Sequence, residues 1–292
     1  MKYPVYVISK GRHDCCLTAR FLLKDGVDFR IVVEPQEREL YAAEFGDERL
    51  IVTPFSNLGL GSIPARNFVW EHSIEAGAKR HWILDDNISG MRRRFKTKKL
   101  PCDSRLAMTI MEDFADRYEN LAVAGPAYSF FVFSTSKKTP FFLNCHVYST
   151  LLIQNDVPFR WRGRYNEDAD LCLQVLAGGW CTALFNALMI YKMPTMSMKG
   201  GNTSELYKGD GRLKMARALE RMWPGVVKVD RRFNRPQHVV KDSWRRFDTP
   251  LKRRADVDFS KFEKVNEFGM KLVQVKEIKS PTMRKIFNER NS

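Results

Sequence analysis

The chain has 292 residues, room for one large domain or a domain with an appendage, and its 44% apolar share can fill a core, so disorder is not expected. Lysines and arginines number 49 against 34 acidic residues, and the formal charge of +15 suggests a polyanionic partner such as nucleic acid. No CxxC pair links the six cysteines and no apolar run is long enough to span a bilayer, so a disulfide framework and a membrane protein are both disfavoured.

The opening KYPVYVIS reads as a strand, not a secretory signal, and a reducing, cytoplasmic setting is expected. The first third then alternates. PVYVIS (4–9), FRIVVE (29–34), RLIVTP (49–54) and HWILD (81–85) are β-like runs separated by helical stretches, among them 64–75 with Ser62 as a cap and Gly77 as a stop. Such alternation predicts a mostly parallel sheet with right-handed crossovers and ligands at the carboxyl ends of the strands. A helix over 104–120 follows a basic stretch, then a strand at LAVAG and longer β structure through SFFVFS and FFLNCHVYSTLLI. NEDADLCLQVLAGG predicts a helix opened by Asn166 and closed by Gly178 and Gly179. WCTALFNAL returns to strand, and 206–222 to a basic amphipathic helix. Residues 1–249 are expected as one domain and 250–292 as a basic tail or small appendage.

Four constellations bear chemistry. Asp85 and Asp86 end a predicted strand, where paired carboxylates can grip a hard divalent ion and the diphosphate it carries; Asp-Asp-Asn is equally good turn chemistry. Glu167 and Asp168 fall in the first turn of a helix, whose dipole favours acids there, and one of them alternatively serves as a general base. KGGNTSELYK (199–208) can bring backbone N–H groups to a phosphate, but it lacks P-loop spacing, so an ATPase is disfavoured. The basic set comprises RRRFKTKK (92–99), RWRGR (160–164), RRFNR (231–235) and KRR (252–254). Its residues Phe95, Trp161 and Phe233 would offer faces to unstacked bases between phosphate-gripping cations, although a charge run is more often a solvated face. A lone histidine is usually structural; alternatively His238, after the last predicted strand, completes an ion's coordination.

In order, YVISKGR, IPARNF, HWILDDNI, YNEDADLCL, KGGNTSELY and QHVVKDSWRRF give the chain a resemblance, over roughly residues 3–247, to the TET-associated glycosyltransferases, enzymes mostly of bacteriophages. The resemblance implies an α/β fold, a GT-A-like, nucleotide-sugar-binding, Rossmann-type mixed sheet flanked by helices. It implies transfer of a hexose, glucose first, from a UDP-sugar to the hydroxymethyl group of 5-hydroxymethylcytosine in double-stranded DNA, made by a neighbouring TET-like dioxygenase. Asp85 and Asp86, with His238 as late ligand, would hold Mn²⁺ or Mg²⁺. Ser9, Lys10, Gly11, Arg12, Arg66, Asn67, Asp85, Gly200, Gly201 and Asn202 would bind the donor. Asp168 would be the catalytic base, supported by Glu167 and Asp170. Arg92, Arg93, Arg94, Lys96, Lys98, Lys99, Arg162 and Arg164 would hold DNA.

Overall fold

The computed structural model describes residues 1–133, 139–193, 200, 211–232, 234–242 and 244–262. Among them, strands β1 (Val5–Ile8), β2 (Arg30–Val33), β3 (Leu50–Val52) and β4 (Arg80–Asp85) form the expected parallel unit, in spatial order β3-β2-β1-β4. Both faces of this unit are covered, which is why its strands read as continuous apolar runs. The order reverses between β1 and β4, where Ile8 lies opposite Asp85, so the chain leaves both strands at a switch point that opens a crevice.

Beyond β4 the sheet becomes mixed. Strands β5 (Ile88–Phe95), β6 (Lys98–Cys102), β7 (Leu121–Tyr128), β8 (Phe141–Leu143), β9 (Thr150–Gln154) and β10 (Cys181–Lys192) extend it, with β7 and β10 parallel and β9 antiparallel to both β4 and β7. RRRFKTKK is therefore a β-hairpin, β5 with β6, held against β10. The expected long β stretch through SFFVFS is interrupted by a helical turn at Ser129–Phe131, and residues 134–138 lie outside the described set.

Helices α1 (Leu17–Lys24), α2 (Arg38–Phe45) and α4 (Ser104–Ala115) cover one face, and α3 (Ile63–Glu75) and α5 (Glu167–Ala177) the other. The Rossmann-type mixed sheet flanked by helices is thus the fold. On one side Phe21, Leu22, Tyr41, Met108 and Met111 pack on Val5, Val7 and Trp82; on the other Val69, Trp70, Leu171 and Val175 pack on Tyr6, Ile83 and Leu151. Helix α4 starts where Asp103 accepts from the Leu106 N–H at 2.8 Å, an ordinary side-chain cap. A third cluster joins Ala169 and Leu173 of α5 to Leu219 of α6 (Gly211–Met222) and to Val227 and Val240 of the hairpin β11 (Val227–Arg232) and β12 (Arg235–Val240). Past 249, the Lys252 N–H donates to Asn120 Oδ1 at 2.8 Å and Phe259 rests against the first core.

His81 sits inside the sheet with no exposed surface, its Nδ1 2.6 Å from Asn155 Oδ1, and burial pushes its pKa from 6.5 down to about 4. A histidine kept neutral by folding contributes stability above its unfolded pKa and loses it as pH falls toward its folded one. Melting followed from pH 7 down to 4 should show a declining limb, and His81→Gln, which keeps a hydrogen-bonding group without a proton site, should make that limb shallower. An unchanged limb would mean that other groups dominate.

Candidate active site

The crevice at the ends of β1 and β4 is built by short loops. After β1, Ser9 Oγ donates to Asp86 Oδ2 at 2.9 Å and meets the Tyr41 hydroxyl at 2.6 Å, and that hydroxyl accepts from the Arg12 N–H at 3.0 Å. Arg12, almost fully buried, ion-pairs with Asp86 and donates to the Gly200 carbonyl at 3.2 Å. A Cβ on Gly200 would lie 2.2 Å from the Gly11 carbonyl oxygen, so Gly200 approaches the β1 loop backbone to backbone, as only glycine permits. Lys10 points the other way, to Glu34 and Asn57 at 2.8 and 2.9 Å, and the Gly11 N–H donates to Glu37. Gly201 and Asn202 lie outside the described residues, as does Phe233.

Asp85 belongs to a different net. Its Oδ1 accepts from Arg66 Nη2 on α3 at 2.9 Å and its Oδ2 from Lys192 Nζ at the end of β10 at 2.7 Å. Lys192 also donates to Ser149 Oγ at 2.6 Å, and Ser149 meets the Tyr128 hydroxyl. Burial disfavours the Asp85 carboxylate, yet Lys192 and Arg66 overturn it and hold its pKa far below the ordinary range. The same burial opposes the Lys192 charge, and Asp85 more than restores it. Arg66 continues to Ser62 Oγ at 3.0 Å and to Glu167 Oε1 at 3.5 Å, and its guanidinium carbon lies 4.7 Å from the Trp161 ring centroid. Its buried Nη1 has no hydrogen-bond partner among the described residues.

At the start of α5 the two acids diverge. Burial raises the pKa of Glu167, which Arg66 only partly offsets. Burial pushes on Asp168 as well, but His146, whose Nε2 lies 3.3 Å from Asp168 Oδ1, pulls it below the usual value. The His146 ring stacks on Trp244 at 5.8 Å, and His238 on β12 faces this same pair, with burial pushing its pKa down to about 4. Burial thus raises Glu167 while His146 brings Asp168 down, so two neighbouring acids are driven in opposite directions.

Several expected roles change. Asp85, Asp86 and His238 do not form a ligand set: the two carboxylates share no donor among the contacts described above, and His238 stands with His146 and Asp168. Asp85 ends β4 and Asp86 opens the turn after it, so the two carboxylates go to different partners, Asp86 to Ser9 and Arg12 and Asp85 to Arg66 and Lys192. A divalent ion on Asp85 would sit against a guanidinium and an ammonium already bonded to both its oxygens, so the residues present do not fit a metal there. Asn67 does not reach the crevice, because its amide exchanges hydrogen bonds with the Trp161 backbone at 2.9 and 3.0 Å. Asp170 is fully buried and holds Arg162, Gln174 and Trp223 instead of supporting catalysis. Asn166 does not cap α5 through its side chain; it takes a φ of +54° and donates to the Met215 carbonyl at 2.8 Å. Trp161 is buried under Arg66 and offers no face to a base.

The basic hairpin is varied. Arg93, Phe95, Lys96 and Lys98 are exposed, with Arg93 and Lys96 each 5.6 Å from the Phe95 ring. Arg92 lies over Tyr191 at 5.3 Å, Arg94 donates to the Lys96 carbonyl at 3.2 Å, and Lys99 donates to the Ser129 carbonyl. Arg162 is tied to Asp170, and Arg164 lies 5.8 Å from the Tyr165 ring. Missed in the sequence were Lys192, His146, Ser149 and Tyr128, none of which sits in a motif.

A cation-lined crevice at a strand switch point, with an ionised carboxylate at its rim, belongs to the class of phosphate-binding α/β transferases. The sequence profile described as TET-Associated Glycosyltransferase matches residues 3–201, and the chain belongs to that family and is a glycosyltransferase. No protein with a curated description matches it. Among solved structures, one described as a nucleotide-diphospho-sugar transferase of Desulfovibrio desulfuricans G20 is similar at 12% identity, covering 60% of this chain and 76% of its own, with a TM-score of 0.34. Among the described residues no helix is long and apolar enough to cross a membrane.

Proposed function

We propose that the protein transfers a hexose, glucose first, from a UDP-sugar to the hydroxymethyl group of 5-hydroxymethylcytosine in double-stranded DNA, acting in the cytoplasm of the host cell after a TET-like dioxygenase. The observation that carries this reading is the convergence of Asp85, Arg66 and Lys192 with the ionised Asp168 in a member of this family. A diphosphate needs fixed cations, and a primary alcohol needs a base; the crevice has both. Asp168 takes the hydroxyl proton while the sugar carbon exchanges its bond to the diphosphate for one to the acceptor oxygen. Ser9, Gly11, Arg12 and Gly200 form the wall nearest the nucleoside, and the exposed cations of the β5–β6 hairpin meet the DNA backbone. Asp85 is already neutralised by Arg66 and Lys192 and needs no Mn²⁺ or Mg²⁺.

The test is mass spectrometry of nucleosides from hydroxymethylcytosine-containing duplex DNA incubated with the protein and a panel of UDP-sugars. A hexose-sized increment on the modified nucleoside, absent with unmodified cytosine, is expected. No increment with any donor would sink the reading. Transfer to a free glycan or protein at equal efficiency would remove the DNA part.

A further inference from the structure

A leaving nucleoside diphosphate gathers negative charge on its β-phosphate, and something cationic must receive it. The crevice holds three buried or largely buried cations, Arg12, Arg66 and Lys192. Arg12 is committed to Asp86 and the Gly200 carbonyl. Lys192 and Arg66 grip opposite oxygens of one carboxylate, so that two positive charges stand against Asp85, and Arg66 keeps a buried Nη1 unpartnered among the described residues. Two fixed side-chain cations thus already stand on Asp85, where a divalent ion was expected.

We propose that Lys192, together with Arg66, serves as the cation that binds the donor diphosphate and receives its developing charge, so that this chain transfers its sugar without a divalent metal. This rests on the donor half of the proposed function. In the step, the bond between the sugar's anomeric carbon and the β-phosphate oxygen breaks and its electron pair stays on that oxygen. The acceptor oxygen bonds to the carbon, and its proton passes to Asp168. Lys192 stays protonated throughout, exchanging part of its hydrogen bonding from Asp85 and Ser149 to the phosphate, and the unpartnered Arg66 N–H groups supply a second donor site. Asp85 is then a positioning residue that keeps the ammonium charged and aimed. The Lys192 chain is short of solvent, with 14% of its side chain exposed, and a loosely hydrated ammonium is a stronger donor to an oxyanion than one in bulk water.

The test is calorimetric binding of UDP and of UMP to protein freed of metal with EDTA, repeated with added Mn²⁺. Wild type should bind UDP with the same affinity in both conditions, within about twofold. Lys192→Met should weaken UDP by roughly ten- to a hundredfold, the usual range for a charge-assisted hydrogen bond, while UMP, which lacks the β-phosphate, should change little. Lys192→Arg, which keeps the charge and the Asp85 pair, guards against a folding artefact and should retain more UDP affinity than the Met variant. UDP binding that appears only with Mn²⁺, or that survives Lys192→Met unchanged, overturns the inference and leaves the proposed function standing. Failure to bind UDP in any condition removes the donor reading along with it.

Discussion

Replacing Asp168 by asparagine should lower the rate of sugar transfer to hydroxymethylated DNA by about 10²- to 10⁴-fold, the range by which a positioned general base acts. Asparagine has nearly the same shape and can still accept from the Ala169 N–H, which Asp168 does at 2.8 Å, but it cannot hold a proton. A quarter of the Asp168 side chain is exposed, so the acceptor can reach it, and asparagine keeps a polar atom toward His146. Melting temperature and UDP binding should therefore stay close to wild type. The decisive measurement is single-turnover transfer beside UDP calorimetry on the same preparation. A variant that transfers at the wild-type rate would move the base elsewhere, with His146, 3.3 Å away, next to be substituted. Parallel loss of UDP binding would instead place Asp168 on the donor.

The parallel half of the sheet was legible because buried strands of such sheets are continuous apolar runs, and VYVI, RIVV and RHWILD are of that kind. Residues fixed by distant pairing were not. RRRFKTKK has no β propensity worth the name, yet Met189 and Ile190 of β10 pair with Arg92 and Met91, and the register rather than the composition makes the strand. Lys192 escaped notice for the same reason: its partners Asp85, Tyr128 and Ser149 are 107, 64 and 43 residues away. The aspartate pair misled because it straddles the end of β4: the last strand residue, Asp85, joins the Arg66 net and the first turn residue, Asp86, joins the Arg12 net. Asn166 looked like a helix cap until α6 offered the Met215 carbonyl to its amide, a tertiary contact no local pattern contains. The parallel pairing of β1 with β4, which brings Ile8 opposite Asp85, was by contrast legible in the alternation of strands and helices.

Asp170→Ala should act on stability and not on chemistry, although it lies only two residues from Asp168. The Asp170 carboxylate has no exposed surface and accepts from Arg162 Nε at 3.0 Å, Trp223 Nε1 at 2.7 Å and Gln174 Nε2 at 2.8 Å. One side chain thus joins α5 to the loop carrying Arg162 and to the residue that follows α6. Truncation leaves the indole and amide donors without their acceptor, and half-exposed Arg162 recovers part of its loss by returning to water. A cost of roughly 3 kcal/mol follows, the lower end for breaking a buried charged pair. In a chain of this size that corresponds to a fall of about 5 °C in melting temperature. Transfer measured well below the new midpoint should remain within about threefold of wild type, because the carboxylate faces none of Asp85, Arg66 and Lys192 among its hydrogen-bond partners. An unshifted midpoint with lost transfer would put Asp170 in the reaction. A lowered midpoint with preserved turnover would confirm that the first turn of α5 divides its acids, one facing the crevice for proton transfer and one facing inward to fasten the hairpin side of the fold.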